Sequence, residues 1–183
     1  MASLILKMSV SLDGYIAPSD GSSDWAAAGR SDDAAAWTLD TLSNAGTHLI
    51  GAMTYTQWAG FWPTASGPFA PPMNDIPKVV FSNSLTTAAW GPATIARGDL
   101  SSAVARLKEE RPDGYLLAHG GVRFARSLLQ TGLIDEYSLV IHPVILGEGE
   151  RLFTTPLTIE PVYTTVFSRG AVACDFTMHP SVR

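Results

Sequence analysis

The chain has one cysteine, no cluster of basic residues and no long apolar run. Cys174 therefore cannot form an internal disulfide, and its place in an alternating, strand-like segment favours a structural thiol over a nucleophile. No stretch reaches the roughly 18 apolar residues of a membrane span, and the first residues carry no cleavage pattern. These absences predict a cytoplasmic protein that does not bind a membrane.

The charge balance argues against nucleic acid as a partner. Lysine and arginine together number 12 against 17 acidic residues, which gives a formal net charge of -5. Binding to a phosphate backbone requires clustered basic side chains, which this sequence lacks. The 183 residues, 46% of them hydrophobic, are enough to bury one core, so we expect a single domain over residues 1–183.

Apolar periodicity predicts alternating strands and helices through the first two-thirds of the chain. The strand-like runs are residues 4–11, 47–50, 78–82, 93–96, 115–118, 136–145, 158–166 and 171–179. Helical patterns cover residues 31–45, a short segment from Thr54, residues 100–110 and residues 122–131. Alternation implies parallel pairing, while the last two runs predict an antiparallel hairpin. The sequence thus predicts an α/β fold with a mixed sheet, helices on both faces and a C-terminal hairpin.

The stretch from Trp62 to Ile76 contains four prolines and a glycine at position 67. This composition predicts a loop without regular structure. We expect a surface excursion, with a lid over a pocket as the alternative.

Gly120 and Gly121 lie between an apolar run and a helical pattern. A strand that turns through glycines into a helix exposes backbone N–H groups at the positive end of the helix dipole, which favours a phosphate or pyrophosphate. A tight turn without a ligand is the alternative. Small residues and hydroxyls also follow three other predicted strands, at residues 11–17, 51–55 and 83–84, where α/β sheets bind ligands.

These motifs, in this order, resemble the dihydrofolate reductase-like family. The resemblance is carried by residues 11–17 (SLDGYIA), by Gly51 with Thr54 and Tyr55, by residues 78–82 (KVVFS), by Gly120 and Gly121, and by the segment 133–153. It is greatest for the branch related to the reductase half of the bifunctional riboflavin-biosynthesis deaminase-reductase. It covers nearly the whole chain.

The resemblance implies a mixed eight-stranded sheet and hydride transfer from a reduced nicotinamide dinucleotide, usually NADPH, to a planar nitrogen heterocycle of pterin, pyrimidine or flavin type. The cofactor-binding residues implied by position are Ile16, Ala17, Gly51, Ala52, Met53, Thr54, Ser82, Asn83, Ser84, Arg97, Gly120, Gly121, Val122 and Arg123. Ala52 and Asn83 carry no charge at the positions where many relatives bind the 2′-phosphate of NADPH, so NADH is the alternative cofactor. Arg97 would supply the charge, unless it is a solvated loop residue.

Hydride transfer needs at most one proton donor from the protein. Asp13, Asp32 and Asp33 are the candidates, with a turn as the structural alternative for Asp13 and a helix N-terminus as that for Asp32 and Asp33. Trp25, Tyr55 and Trp58 are candidate substrate contacts, because flat aromatic faces suit a heterocycle, although such residues often pack in cores. The four histidines lack the spacing of a metal site, so we expect no metal and structural roles for them.

The favoured function is a reductase. One alternative is a binding module of the same fold that holds a nucleotide or aromatic ligand without turnover. A purely structural dimer is a further alternative. A homodimer is expected through sheet edges formed by residues 136–145 and the C-terminal strands, because uncovered edge strands favour pairing.

Overall fold

A computed structural model describes residues 1–22, 24–110 and 114–178 of the chain. Its strands are β1 (Leu4–Ser11), β2 (Tyr15–Ala17), β3 (Ala45–Gly51), β4 (Lys78–Phe81), β5 (Ala93–Ala96), β6 (Tyr115–His119), β7 (Glu136–His142), β8 (Glu150–Arg151), β9 (Ile159–Val166) and β10 (Val172–Met178). Its α-helices are α1 (Asp32–Ser43), α2 (Ala52–Ala59), α3 (Ala70–Asp75), α4 (Leu100–Glu110) and α5 (Val122–Gln130). Short 3₁₀ helices cover Asp24–Gly29 and Trp62–Thr64.

Eight strands form one sheet in the order β5-β4-β3-β6-β1-β7-β10-β9. The pairs from β5 through to β7 are parallel, whereas β10 is antiparallel to both of its neighbours. The predicted mixed sheet with a C-terminal hairpin is therefore confirmed. The two-residue and three-residue strands β8 and β2 pair separately, and the sequence pattern missed both.

Alternating side chains of the sheet build a core on each face. Leu4 and Leu6 of β1 face one core cluster, into which α4 and α5 insert Val104 and Leu128. Ile5, from the same strand, belongs to a second cluster on the opposite face with residues of α2 and α3. Helices thus cover both faces, as expected, because each face presents its own apolar row.

The predicted boundary of the seventh strand was too long. The strand β7 ends at His142, because Pro143 has no N–H to continue a ladder. It lies inside the sheet between β1 and β10, so the expectation that residues 136–145 offer a dimerisation edge is wrong. The free edge on that side is β9, and position 179 of the predicted last strand lies outside the described residues.

The expectation of an irregular surface excursion over residues 62–76 is also wrong. The helix α3 forms there with Pro71 in its first turn, where the missing N–H costs no helical hydrogen bond. Ala70, Pro72 and Met73 are buried, and the Asn74 side chain donates to the Trp62 carbonyl oxygen at 2.9 Å. The segment is a packed element of the second core cluster.

Across the described ranges, helices long and apolar enough to cross a membrane are absent.

Candidate functional site

Two helices begin side by side at the C-terminal edge of the parallel strands. The strand β3 runs directly into α2 at Gly51, and its neighbour β6 leads through Gly120 and Gly121 into α5. Among the residues that the structure describes, no side chain caps either helix. The first N–H groups of both helices therefore carry the partial positive charge of the helix ends without a capping oxygen.

The glycines at this edge are required by geometry. Gly120 and Gly121 have φ values of 71° and 78°, a region that side-chain-bearing residues rarely adopt. A Cβ atom on Gly121 would lie 2.6 Å from the Thr54 hydroxyl oxygen, and one on Gly120 would lie 3.0 Å from the Trp58 ring. The structure thus brings the predicted residues Gly51, Ala52, Met53 and Thr54 next to Gly120, Gly121, Val122 and Arg123.

The residues that follow β4 and β5 form a second polar group on the same edge. The Ser82 hydroxyl accepts hydrogen bonds from the backbone N–H groups of Ser84 and Leu85, at 3.2 and 2.9 Å. The Asn83 side chain accepts from the N–H of Gly98 at 3.2 Å. The Arg97 guanidinium donates to the carbonyl oxygens of Ser82 and Leu85. Arg97 therefore lies over the turn formed by Ser82, Asn83 and Ser84, and is not a detached loop residue.

The loop after β1 is held by Asp13. Its carboxylate accepts from the Ser11 hydroxyl at 2.7 Å and from the backbone N–H groups of Leu146 and Gly147 at 3.1 and 2.8 Å. The Ser11 hydrogen bond, followed by those from Gly147 and Leu146, lowers the pKa of Asp13 to about 2. The carboxylate is thus ionised at neutral pH. Its catalytic assignment stays a prediction.

Asp33 has a comparable structural position at the start of α1. Its carboxylate accepts from the backbone N–H and the hydroxyl of Ser168, at 2.8 and 3.0 Å, and so ties α1 to the turn between β9 and β10. Ser31 occupies the N-cap position without a capping side-chain hydrogen bond. The role of Asp33 as proton donor likewise stays a prediction.

A cavity of about 580 Å³ lies between α1, the 3₁₀ helix before it and the strands β1 and β7. Its lining includes Lys7, Ser9, Arg30, Asp32, Val140 and His142. Lys7 and Ser9 were not among the site residues predicted from the sequence. The available signal was a lysine inside a mostly apolar strand, and a charged group in that position is rarely placed there for packing alone.

Lys7 is a partly buried cation in this cavity. Its ammonium nitrogen lies 5.3 Å from the centre of the Trp37 ring. Burial lowers the pKa of Lys7 to about 8, and the negative charge of Asp175 partly opposes that shift. In the register of the parallel pair β1 and β6, Lys7 is opposite His119, the residue directly before Gly120. Lys7 in the cavity floor is therefore on the strand next to the glycine edge, the edge of the sheet formed by Gly51, Gly120 and Gly121.

The two histidines beneath this edge are uncharged at neutral pH. The rings of His48 and His119 meet edge to face at 4.7 Å. Burial lowers the pKa of His48 to about 4, and burial together with the nearby His48, Lys7 and Lys78 lowers the pKa of His119 well below its usual value. Over the described residues, no group of three or more His, Cys, Asp or Glu side chains is arranged to hold a metal ion.

The three aromatic residues predicted to contact substrate are not gathered in one place. Trp25 packs edge to face on His142, which lines the cavity, and Trp58 packs on His119 beside Gly120. Tyr55 is only 4% exposed, and its hydroxyl accepts a hydrogen bond from the Trp90 backbone N–H at 2.7 Å in the second core cluster. Trp25 and Trp58 thus lie near the cavity and the glycine edge, whereas Tyr55 lies away from the cavity.

A mixed eight-stranded sheet with helices on both faces and a C-terminal antiparallel hairpin is the fold expected of the dihydrofolate reductase-like class. Comparison of the chain with known protein families narrows that class, because the model of the RibD C-terminal domain family matches residues 2–172. The chain belongs to the RibD C-terminal domain family.

Two known proteins are similar to this chain over most of its length. The chain is similar to the uncharacterized protein YyaP of Bacillus subtilis (strain 168), with 29% identity over 177 residues, 92% of this chain and 91% of YyaP. Its fold resembles that of a putative riboflavin biosynthesis protein from Shewanella sp. PV-4, at a TM-score of 0.75 and 22% identity, covering 97% of this chain and 99% of that one.

A bifunctional enzyme has the same fold in one of its parts. The deaminase and 5-amino-6-(5-phosphoribosylamino)uracil reductase of Thermotoga maritima matches at a TM-score of 0.70 and 16% identity. The match covers 97% of this chain but 57% of the bifunctional chain.

Proposed function

We propose that this chain is a reductase that binds NADPH along the glycine edge and reduces a planar nitrogen heterocycle in the neighbouring cavity. The observation that carries the proposal is the pair of adjacent, uncapped helix starts at Gly51 and Gly121, where a Cβ on Gly121 would fill the space beside Thr54. Two helix N-termini facing one edge favour a pyrophosphate between them. The residues present therefore fit a dinucleotide.

Each half of the dinucleotide has its own candidate contacts. Val122 and Arg123 begin α5 and would hold the pyrophosphate, with Ala52, Met53 and Thr54 of α2 on its other side. The backbone of Ile16 and Ala17 would line the nicotinamide, since the Ile16 side chain is itself buried in the core. The nicotinamide supplies a hydride when it is bound.

Arg97 supports the choice of NADPH over NADH. Its guanidinium lies over the turn of Ser82, Asn83 and Ser84, at the end of the sheet where the adenosine half would lie. A phosphate bound by an arginine gains charge-assisted hydrogen bonds, each worth about 1.5 to 3 kcal/mol. Arg97 thus compensates for the uncharged Ala52 and Asn83, and NADPH is expected to bind more tightly than NADH.

Lys7 is the proton donor that the cavity favours. A donor must reach the reacting atom, and Lys7 lines the cavity one strand from the glycine edge. With a pKa near 8 it holds a proton at neutral pH and can release one without a large cost. The carboxylates of Asp13 and Asp33 are instead occupied by backbone and hydroxyl donors, which supports positioning roles for both.

A binding module without turnover is the second candidate. The observation in its favour is that Ala52 and Asn83 are uncharged, at positions where many relatives bind the 2′-phosphate of NADPH. A weakly bound nucleotide would then act as a ligand and not as a hydride donor.

The test is thermal unfolding of the purified protein with NADPH and with NADH. A ligand present at 100 times its Kd stabilises the folded state by about 2.7 kcal/mol, so a bound cofactor raises Tm measurably. We expect the larger shift with NADPH. Stabilisation without oxidation of NADPH by dihydrofolate or aminopyrimidines would favour the binding module. No shift with either nucleotide would contradict the reductase and would leave a module that binds an aromatic ligand.

Gly121→Asp is expected to abolish the NADPH response. The new side chain would collide with Thr54 and add a negative charge where the pyrophosphate binds. Gly132→Asp is the matched control at the other end of α5, because Gly132 also has a positive φ of 66° but a Cβ atom there would meet nothing within 4 Å. The control is expected to lose about 1 to 2 kcal/mol of stability and to keep its NADPH response.

A further inference from the structure

One arginine joins the helix α5 to the small sheet of β2 and β8. The Nε and Nη2 atoms of Arg126 donate to the carbonyl oxygen of Arg151 at 2.8 and 2.5 Å. The Nη1 atom of the same guanidinium lies 2.6 Å from the Glu150 carboxylate. Arg126 therefore links both residues of β8 to the helix α5.

The strand β8 in turn holds β2, which carries Ile16 and Ala17. Tyr15 pairs with Arg151 and Ala17 pairs with Glu150. The Arg151 guanidinium donates to the Asp13 carbonyl oxygen at 3.3 Å and to the Tyr15 hydroxyl at 3.1 Å, and it stacks 4.3 Å from the centre of the Tyr15 ring. A displacement of β8 would therefore displace β2 with it.

The residue directly before β8 is also in close backbone contact with β2. Gly149 has a φ of 140°, and a Cβ atom there would overlap the Ala17 carbonyl oxygen. The spacing between β8 and the residue pair Ile16 and Ala17 is therefore fixed by backbone contact and not by adaptable side chains.

We propose that Arg126 is a positioning residue that aligns the nicotinamide end of the cofactor site with its pyrophosphate end. The inference rests on the proposed function, because it assigns the pyrophosphate to the start of α5 and the nicotinamide to Ile16 and Ala17. Arg126 lies five residues after Gly121, about one and a half helical turns, so the same short helix that receives the pyrophosphate also sets the location of β8 and, through it, of β2.

The contribution of Arg126 is orientation and not stability. Its ion pair with Glu150 is partly exposed to solvent, and such pairs contribute little to folding. The two-pronged contact to one backbone carbonyl has a fixed geometry that a flexible side chain does not reproduce. Loss of Arg126 is thus expected to leave the fold intact and to loosen one end of the site.

The test compares NADPH with adenosine 2′,5′-bisphosphate, a fragment that lacks the nicotinamide half. We expect Arg126→Gln to weaken NADPH about tenfold, equivalent to about 1.4 kcal/mol, and to change the Kd of the fragment by less than about twofold. Arg106→Gln is the matched control, because Arg106 forms an exposed ion pair with Glu110 on α4, away from the site. It is expected to leave both Kd values within about twofold of the unsubstituted protein.

Equal weakening of both ligands by Arg126→Gln, or no weakening of either, would overturn the positioning role while leaving the proposed function in place. If the unsubstituted protein binds neither ligand, the proposed function fails and this inference fails with it. Should Arg126→Gln not fold, Arg126→Lys provides the same comparison. It keeps a cation beside Glu150 but loses the two-pronged contact, so a smaller, NADPH-specific weakening is expected.

Discussion

Lys7 is a cation in the floor of a cavity, and its charge opposes folding at neutral pH. Its pKa is about 8 in the folded state and near 10.5 when the chain is unfolded. Below pH 8 both states hold the proton, and the cost of burying the charge is fully present. Between pH 8 and 10.5 the folded state releases the proton first, so stability rises with pH in that window.

Replacement of Lys7 by methionine is expected to remove this gain. Relative to Lys7→Met, the unsubstituted protein should gain no more than about 3 kcal/mol in free energy of unfolding between pH 8 and 10.5, measured by urea denaturation. Lys78, whose pKa burial also lowers to about 8, titrates in the same window and remains in both proteins. If the free energies of unfolding of the two proteins changed with pH in parallel across that window, Lys7 would not be buried as described.

At the residue scale, the sequence predicted the backbone geometry of the glycine turn because a local rule applied, whereas the role of that turn in binding a cofactor stays a prediction. Gly120 and Gly121 were identified because a strand, a glycine turn and a helix are contiguous in the chain. Lys7 was missed because its cavity is built by α1 and β7, which are distant in sequence. The chain order does not indicate which helix covers a given strand residue.

At the scale of elements, α3 shows how composition misleads. Prolines argue against a helix interior, yet Pro71 lies in the first turn, where a proline is tolerated. Local patterns also predicted β1 and α4 with correct ends, because their apolar periodicity is long. The strands β2 and β8 are three and two residues long and have no periodicity to detect.

Met73→Ala tests whether α3 is a packed element. Met73 is 2% exposed in the second core cluster, so its truncation should lower the free energy of unfolding by about 2 to 5 kcal/mol. Met53→Ala on α2, where the side chain is 61% exposed, should change it by less than about 0.5 kcal/mol. Similar small losses for both would support a loosely attached segment.

At the scale of the whole molecule, the edge strand β9 is the surface through which we expect two copies to associate. Val162, Tyr163 and Val166 are 60%, 63% and 71% exposed along it. An uncovered strand edge with apolar side chains favours pairing with another chain. Homodimerisation stays a prediction, now assigned to β9.

Sedimentation velocity can check this assignment. We expect a dimer for the unsubstituted protein and a monomer for the double variant Val162→Lys and Tyr163→Lys, because charges on an edge strand disfavour pairing. Thr94→Lys on β5, the opposite edge of the same sheet, should remain dimeric. A monomeric unsubstituted protein, or a dimer that persists in the double variant, would contradict the assignment.

The location of β1 in the middle of the sheet has a consequence for biosynthesis. Its two neighbours, β6 and β7, begin at Tyr115 and Glu136, more than a hundred residues later. At a typical ribosomal rate, the first strand waits on the order of ten seconds before either neighbour has been translated. During that interval a largely apolar segment lacks the neighbouring strands that form its hydrogen bonds. Nascent chains are therefore expected to need chaperone protection early in translation.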